Sequence, residues 1–174
     1  MAAADSPYTS LLNELSIPHR ATGAYRQLLD AGRDALPAVR EGLRHANADV
    51  RYHCCRFLDR FLESGVLADL IGMLDDHDPR VRNTTLHTLA CDRCKEGDCR
   101  PEEKEVLPRA LALLARDPDR HVRAMAVEVV GQFVRANPAA VDALVTTAKV
   151  DSDPTVRKKA AWYAPGGAIY RRTA

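Results

Sequence analysis

The chain has no stretch approaching about 18 consecutive apolar residues, which excludes a membrane-crossing helix on length alone. Its opening segment, MAAADSPYTSLL, lacks the basic start and apolar run of a secretory leader, so no export signal is expected. An excess of either charge is missing too: 25 Lys and Arg against 24 Asp and Glu leave a net charge of +1. A protein that grips duplex nucleic acid by its phosphates carries a clear basic excess, so nucleic acid is not the expected partner. Aromatic residues make up only 5%. The apolar content therefore comes mostly from Ala, Leu and Val, whose small side chains let helices pack closely. Catalytic signatures are lacking as well: G-x-S-x-G, a phosphate loop and H-E-x-x-H are all absent. A cytoplasmic protein with no catalytic motif is expected.

What is present is a soluble globular balance, with 46% hydrophobic and 28% charged residues in 174, and an internal repeat. Four segments align on a Val-Arg pair: NADVRYHCCRFLDRF, DPRVRNTTLHTLACD, DRHVRAMAVEVVGQF and DPTVRKKAAWYAPGG. Their arginines, Arg51, Arg82, Arg123 and Arg157, are spaced 31, 41 and 34 residues apart. Three residues before each valine stands Asn47, Asp78, Asp119 or Asp153, the residue types that cap a helix by accepting from its free first-turn amides. Pro79 and Pro154 follow directly, at the first helical position, where the missing N–H costs nothing. Counting from each valine, positions zero, four and eight share one helical face and are apolar or small, which predicts amphipathic helices. A shorter apolar-periodic run precedes each: 36 to 45, 65 to 76, 104 to 117 and 138 to 150. Helix, turn, helix, repeated, is an array of αα-hairpins.

These residues resemble the HEAT-repeat family, in its short D-P-x-V-R-x-x-A form; DPRVRNTT and DPTVRKKA carry the likeness best. The resemblance implies an all-α, right-handed α-α solenoid of about four hairpins. It divides the chain into capping helices in residues 1–33, repeats at about 34–62, 65–91, 101–135 and 137–165, and a tail at 166–174, in a single continuous domain. The capping helices are expected near 7–15 and 22–31. The resemblance also implies a non-catalytic scaffold or adaptor that holds a protein or peptide on its concave face. Enzymes on related folds leave thinner traces. Di-iron hydroxylases carry His-Glu dipeptides, which this sequence lacks; alkylated-base glycosylases use an aromatic and acidic pocket, of which Trp162 with Glu128 is a faint echo; bilin lyases share only the repeat. An accessory subunit of such an enzyme is thus an alternative reading.

In such solenoids the second helix of each hairpin lines the concave face. Positions two, six and ten then supply Tyr52, Arg56 and Arg60; Asn83, His87 and Cys91; Ala124, Glu128 and Gln132; and Lys158 and Trp162. Tyr, Trp and Arg are the usual anchors of binding surfaces, so Tyr52, Arg56, Arg60, Asn83, Glu128, Lys158 and Trp162 are the expected binding face. Two alternatives stay open: a merely solvated face with Trp162 packed under the tail, and phosphate or single-strand binding by Arg56, Arg60, Lys158 and the basic tail. The repeated arginines are expected to join repeats, each guanidinium reaching a cap or carbonyl of its neighbour.

Five cysteines, Cys54, Cys55, Cys91, Cys94 and Cys99, in a cytoplasmic chain read as thiols or metal ligands rather than disulfides. The long spacing between Arg82 and Arg123 holds His87-x3-Cys91-x2-Cys94-x4-Cys99. Zinc favours four N/S donors in a tetrahedron, so His87, Cys91, Cys94 and Cys99 form a candidate structural zinc site. Free thiols and a redox pair are the competing readings. No cofactor is otherwise required. Cys54 is expected to be a small buried core residue.

Overall fold

The computed structural model describes residues 7–91 and 101–173. Within them the chain is helical, with no strand: α1 (Thr9–Glu14), α2 (Pro18–Ala31), α3 (Leu36–Gly42), α4 (Ala48–Phe61), α5 (Ser64–Gly72), α6 (Pro79–Ala90), α7 (Glu103–Arg116), α8 (Arg120–Gln132), α9 (Pro138–Val150), α10 (Pro154–Tyr163) and α11 (Ala168–Arg172). Short 3-10 turns cover Gly32–Ala35 and Met73–Asp75. The hairpins α3–α4, α5–α6, α7–α8 and α9–α10 are the four expected from the Val-Arg segments. The contacts divide the chain into two units, Met1–Cys99 and Arg100–Ala174. The first unit holds α1–α6 and the second α7–α11, each described by itself.

The caps act as their residue types dictate. The side chains of Asn47, Asp78, Asp119 and Asp153 accept from the amides of Asp49, Arg80, His121 and Thr155, at 2.7 to 2.8 Å. Each such bond satisfies a donor that the helix cannot, typically for about 1 kcal/mol. Behind each cap the apolar stripe turns inward. Val50, Val81, Val122 and Val156 are at most 1% exposed, and position four (Cys54, Thr85, Ala126, Ala160) is equally buried. Buried Thr85 satisfies its hydroxyl on the Val81 carbonyl at 2.9 Å, and Thr88 donates across to the Cys55 carbonyl of α4 at 3.1 Å.

The helix α2 begins at Pro18, four residues before the expected start at 22. Pro18 occupies the first helical position, and Ala21, Ala24 and Leu28 turn into the core behind it.

The repeated arginine does link repeats, through a partner other than the one expected. Arg51 forms a two-pronged ion pair with Asp76, Nε to Oδ2 at 2.6 Å and Nη2 to Oδ1 at 2.8 Å. In the second unit Arg123 grips Asp151 in the same way, at 2.8 and 3.0 Å. The carbonyls each arginine reaches belong to its own hairpin turn: His45 and Ala46 for Arg51, Asp117 and Pro118 for Arg123. The neighbouring repeat supplies a carboxylate instead. Asp76 and Asp151 stand two residues before the caps Asp78 and Asp153 and also accept from their amides, both at 2.8 Å.

Candidate binding face and metal-ligand cluster

The second helices of the first unit, α4 and α6, bury one stripe and leave the opposite one open. Tyr52 and Asn83 are half-buried on it, and Arg56, Arg60 and His87 are exposed. Arg56 projects from the middle of α4, where its guanidinium carbon lies 4.6 Å from the ring centre of Tyr25 and 5.7 Å from that of Tyr52. Tyr52 is one turn earlier on α4; Tyr25 comes from α2. The N-terminal helices, expected only to cap, thus lend an aromatic residue to this face. An arginine between two aromatic faces keeps its charge while losing rotamer freedom, which prepares its free edges for an anion. His53 packs against both rings, at 5.3 Å from Tyr25 and 5.2 Å from Tyr52. Burial and then the Arg56 charge lower its pKa below the usual 6.5, favouring neutral imidazole. Burial raises the pKa of Tyr25.

In the second unit, Ala124 and Glu128 are half-buried on α8, and Gln132 is exposed. Lys159 of α10 donates to the Glu128 carboxylate. Glu128 is thus occupied by a lysine rather than poised beside Trp162 as an acid. Trp162 is 42% exposed, with the Lys158 ammonium 5.4 Å from its ring centre. Among the described residues only Val150 is a more exposed large apolar side chain. Val150 lies at a groove of about 520 Å³ between α7 and α9, lined also by Leu111, Ala115, Asp142, Ala143 and Thr146.

Of the four expected zinc ligands, the fold brings His87 and Cys91 together at the C-terminal end of α6; Cys94 and Cys99 lie outside the described residues. A residue that sequence reasoning missed joins them. Asp59, one turn from Cys55 on α4, points at His87, with Oδ2 3.6 Å from Nε2. One ligand atom each from Asp59, His87 and Cys91 lies within 4.8 Å of the others. The second Asp59 oxygen, Oδ1, is buried and makes no hydrogen bond among the described residues; His53 Nδ1 is in the same state. Cys54 and Cys55 lie fully in the core, and burial pushes the Cys55 thiol up to about 12, so neither supplies a thiolate at neutral pH.

The family model for HEAT repeats matches residues 11–90, 36–107 and 97–164. No curated protein matches the chain. Among solved structures, a designed armadillo repeat protein in complex with the peptide (KR)4 is 18% identical with a TM-score of 0.59, over 91% of this chain and 80% of that one. The crystal structure of an engineered protein is 22% identical with a TM-score of 0.55, over 91% of this chain and 74% of that one. At these identities the likeness establishes the fold, an all-α repeat solenoid.

Proposed function

Because this chain belongs to the HEAT-repeat family, we propose that it is a non-catalytic scaffold that holds a protein or peptide segment on its second-helix face. The observation that carries the reading is Arg56: exposed, clasped by Tyr25 and Tyr52, and with no carboxylate partner among the described residues. Charge and flanking aromatics make it an anchor of the kind that dominates binding energies. Arg60 follows one turn along α4, and the half-exposed Asn83 amide of α6 offers a donor and an acceptor to a passing peptide backbone. This face suits an extended segment bearing Asp or Glu. In the other unit Trp162 and Lys158 offer an apolar and cationic anchor of the same type. The designed neighbour was solved in complex with the peptide (KR)4, which supports a peptide as the kind of partner, while the exposed arginines on this face favour the opposite charge.

The zinc expected from the sequence takes a structural role under this reading, holding the end of α6. No helix among the described residues is long and apolar enough to cross a membrane. Buried, unpaired thiols at Cys54 and Cys55 support a reducing compartment, the cytoplasm.

Fluorescence anisotropy with labelled (DE)4 and (KR)4 peptides tests the face. The acidic peptide should bind and the basic one should not. Arg56→Ala should weaken binding by about fivefold or more, the loss expected at an anchor. Indifference of the acidic peptide to Arg56→Ala would remove the reading. Binding of a single-stranded oligonucleotide that falls steeply with salt would replace the peptide with a phosphate ligand.

A further inference from the structure

We propose that Asp59, His87 and Cys91 form a site for a divalent cation of the zinc type, which ties α4 to the C-terminal end of α6. The proposal deepens the structural-zinc reading, naming a ligand set that bridges two helices, and it does not depend on the carboxylate-binding face.

Three observations converge. First, the donors are already close. Zinc bonds of about 2.0 to 2.3 Å in a tetrahedron put ligand atoms roughly 3.3 to 3.8 Å apart. The His87 Nε2 to Asp59 Oδ2 distance is 3.6 Å, and Cys91 Sγ lies within 4.8 Å of both neighbours' donors. Second, the backbone fixes them. His87 lies in the last turn of α6 and Cys91 is the residue that caps its end, four positions on, where the Cys91 amide still donates to the His87 carbonyl at 2.8 Å. The 3.4 Å contact in which the Cys55 thiol can donate to Thr85 Oγ1, and the 3.1 Å bond from Thr88 to the Cys55 carbonyl, lock α6 against α4 one turn from Asp59. Third, Asp59 Oδ1 is buried and receives no hydrogen bond among the described residues. A carboxylate oxygen removed from water without a donor is costly, and a cation at this point would satisfy it.

The donor chemistry selects the ion. A thiolate beside an imidazole discriminates against magnesium and calcium, which take all-oxygen shells, and favours zinc or cobalt. Binding would displace the Cys91 thiol proton to solvent and leave the His87 imidazole neutral, so affinity should fall with acid. Three protein ligands leave one position for water or a donor from a bound segment. His87 is exposed, which gives the ion a way in.

The test uses the full chain, stripped with a chelator and titrated with cobalt(II). One equivalent should produce thiolate-to-cobalt charge-transfer absorption and the intense visible bands of a four-coordinate ion, and zinc should bleach both. Asp59→Asn, nearly isosteric and removing no hydrogen bond found among the described residues, should weaken cobalt binding at least tenfold while keeping its helical circular dichroism. Cys91→Ser should abolish the charge-transfer band. The double variant Cys94→Ser, Cys99→Ser should keep the site. Absence of the band in the native chain overturns the proposal. So does its loss in the double variant together with its survival in Asp59→Asn, since the ion would then belong to the loop thiols. Binding of (DE)4 is measured on the same Asp59→Asn sample; retained peptide binding separates failure of the metal site from failure of the binding face.

Discussion

At the scale of single residues, the arginine after each valine is worth different amounts in different repeats, because its acid partner comes from the next repeat along. Arg51 and Asp76 have side chains 15% and 6% exposed, and Arg123 and Asp151 11% and 7%. Truncating either arginine strands a mostly buried carboxylate and two turn carbonyls, which should cost about 3 kcal/mol. Arg157 has the same Nη1 bonds to turn carbonyls, Asp151 and Ser152, but its fork holds no carboxylate among the described residues. Arg157→Ala should therefore cost about 1 kcal/mol, the value of modest hydrogen bonds. Urea denaturation of Arg51→Ala, Arg123→Ala and Arg157→Ala checks this order; equal losses would mean that the carboxylate contributes nothing. The arginines and caps were legible because each recurs at a fixed offset. Asp76, Asp117 and Asp151 recur too, two residues ahead of three caps, but the first repeat has His45 there, and alignment on Val-Arg drew no attention to a broken pattern. Asp59 left no trace. Its meeting with His87 is set by how α4 lies against α6, which no spacing along the chain encodes.

At the scale of elements, the hairpins were legible because capping and periodicity are local, whereas the closeness of helices is not. Two glycines report it. A Cβ on Gly42 of α3 would sit 2.5 Å from Cys54 Sγ of α4, and one on Gly131 of α8 would sit 2.1 Å from the Tyr163 ring of α10. Gly23, within α2, has nothing within 4 Å of the same position. The same substitution should thus change sign between sites. Gly23→Ala gains helix propensity in open solvent and should stabilise by up to about 1 kcal/mol. Gly131→Ala gains as much but must displace a half-buried ring, and overpacking of that kind costs about 1 to 3 kcal/mol, so it should come out destabilising. Thermal melts of both variants, and of Gly131→Ala combined with Tyr163→Ala, check the cause. If the alanine still destabilises once the ring is gone, the close approach of α8 and α10 is not what demands glycine. The face was half legible for a related reason: positions on α4 and α6 follow from the repeat, but Tyr25 enters from α2, whose early start at Pro18 lay outside the repeat pattern.

At the scale of the whole molecule, the two units carry the same kind of mostly buried arginine–aspartate clamp, Arg51–Asp76 and Arg123–Asp151, and these should respond to acid in the same way. Burial works to raise the pKa of Asp76 and of Asp151, but the arginine beside each, together with the following amide, outweighs it and holds both below the usual 3.8. A carboxyl whose folded pKa is depressed stabilises fully above its unfolded value. That contribution disappears as pH falls through the folded value, because the native state must then bind a proton that the unfolded chain has already taken up. The guanidiniums stay charged throughout, so the clamps add no loss on the alkaline side. The clamps' own contribution should therefore stay constant from neutrality down to about pH 4.5 and then fall steeply, on top of the smaller loss that buried His53 causes as pH drops below its unfolded 6.5. Mostly buried pairs are poorly screened, so added salt should leave most of that slope intact. Asp76→Asn with Asp151→Asn should be less stable at neutral pH and lose stability more gently in acid, so that the two urea-midpoint curves converge once the pH has fallen through the depressed folded-state values of the two carboxyls. Parallel curves would mean that the acid sensitivity lies in the exposed carboxylates rather than in the bonds that join one hairpin to the next.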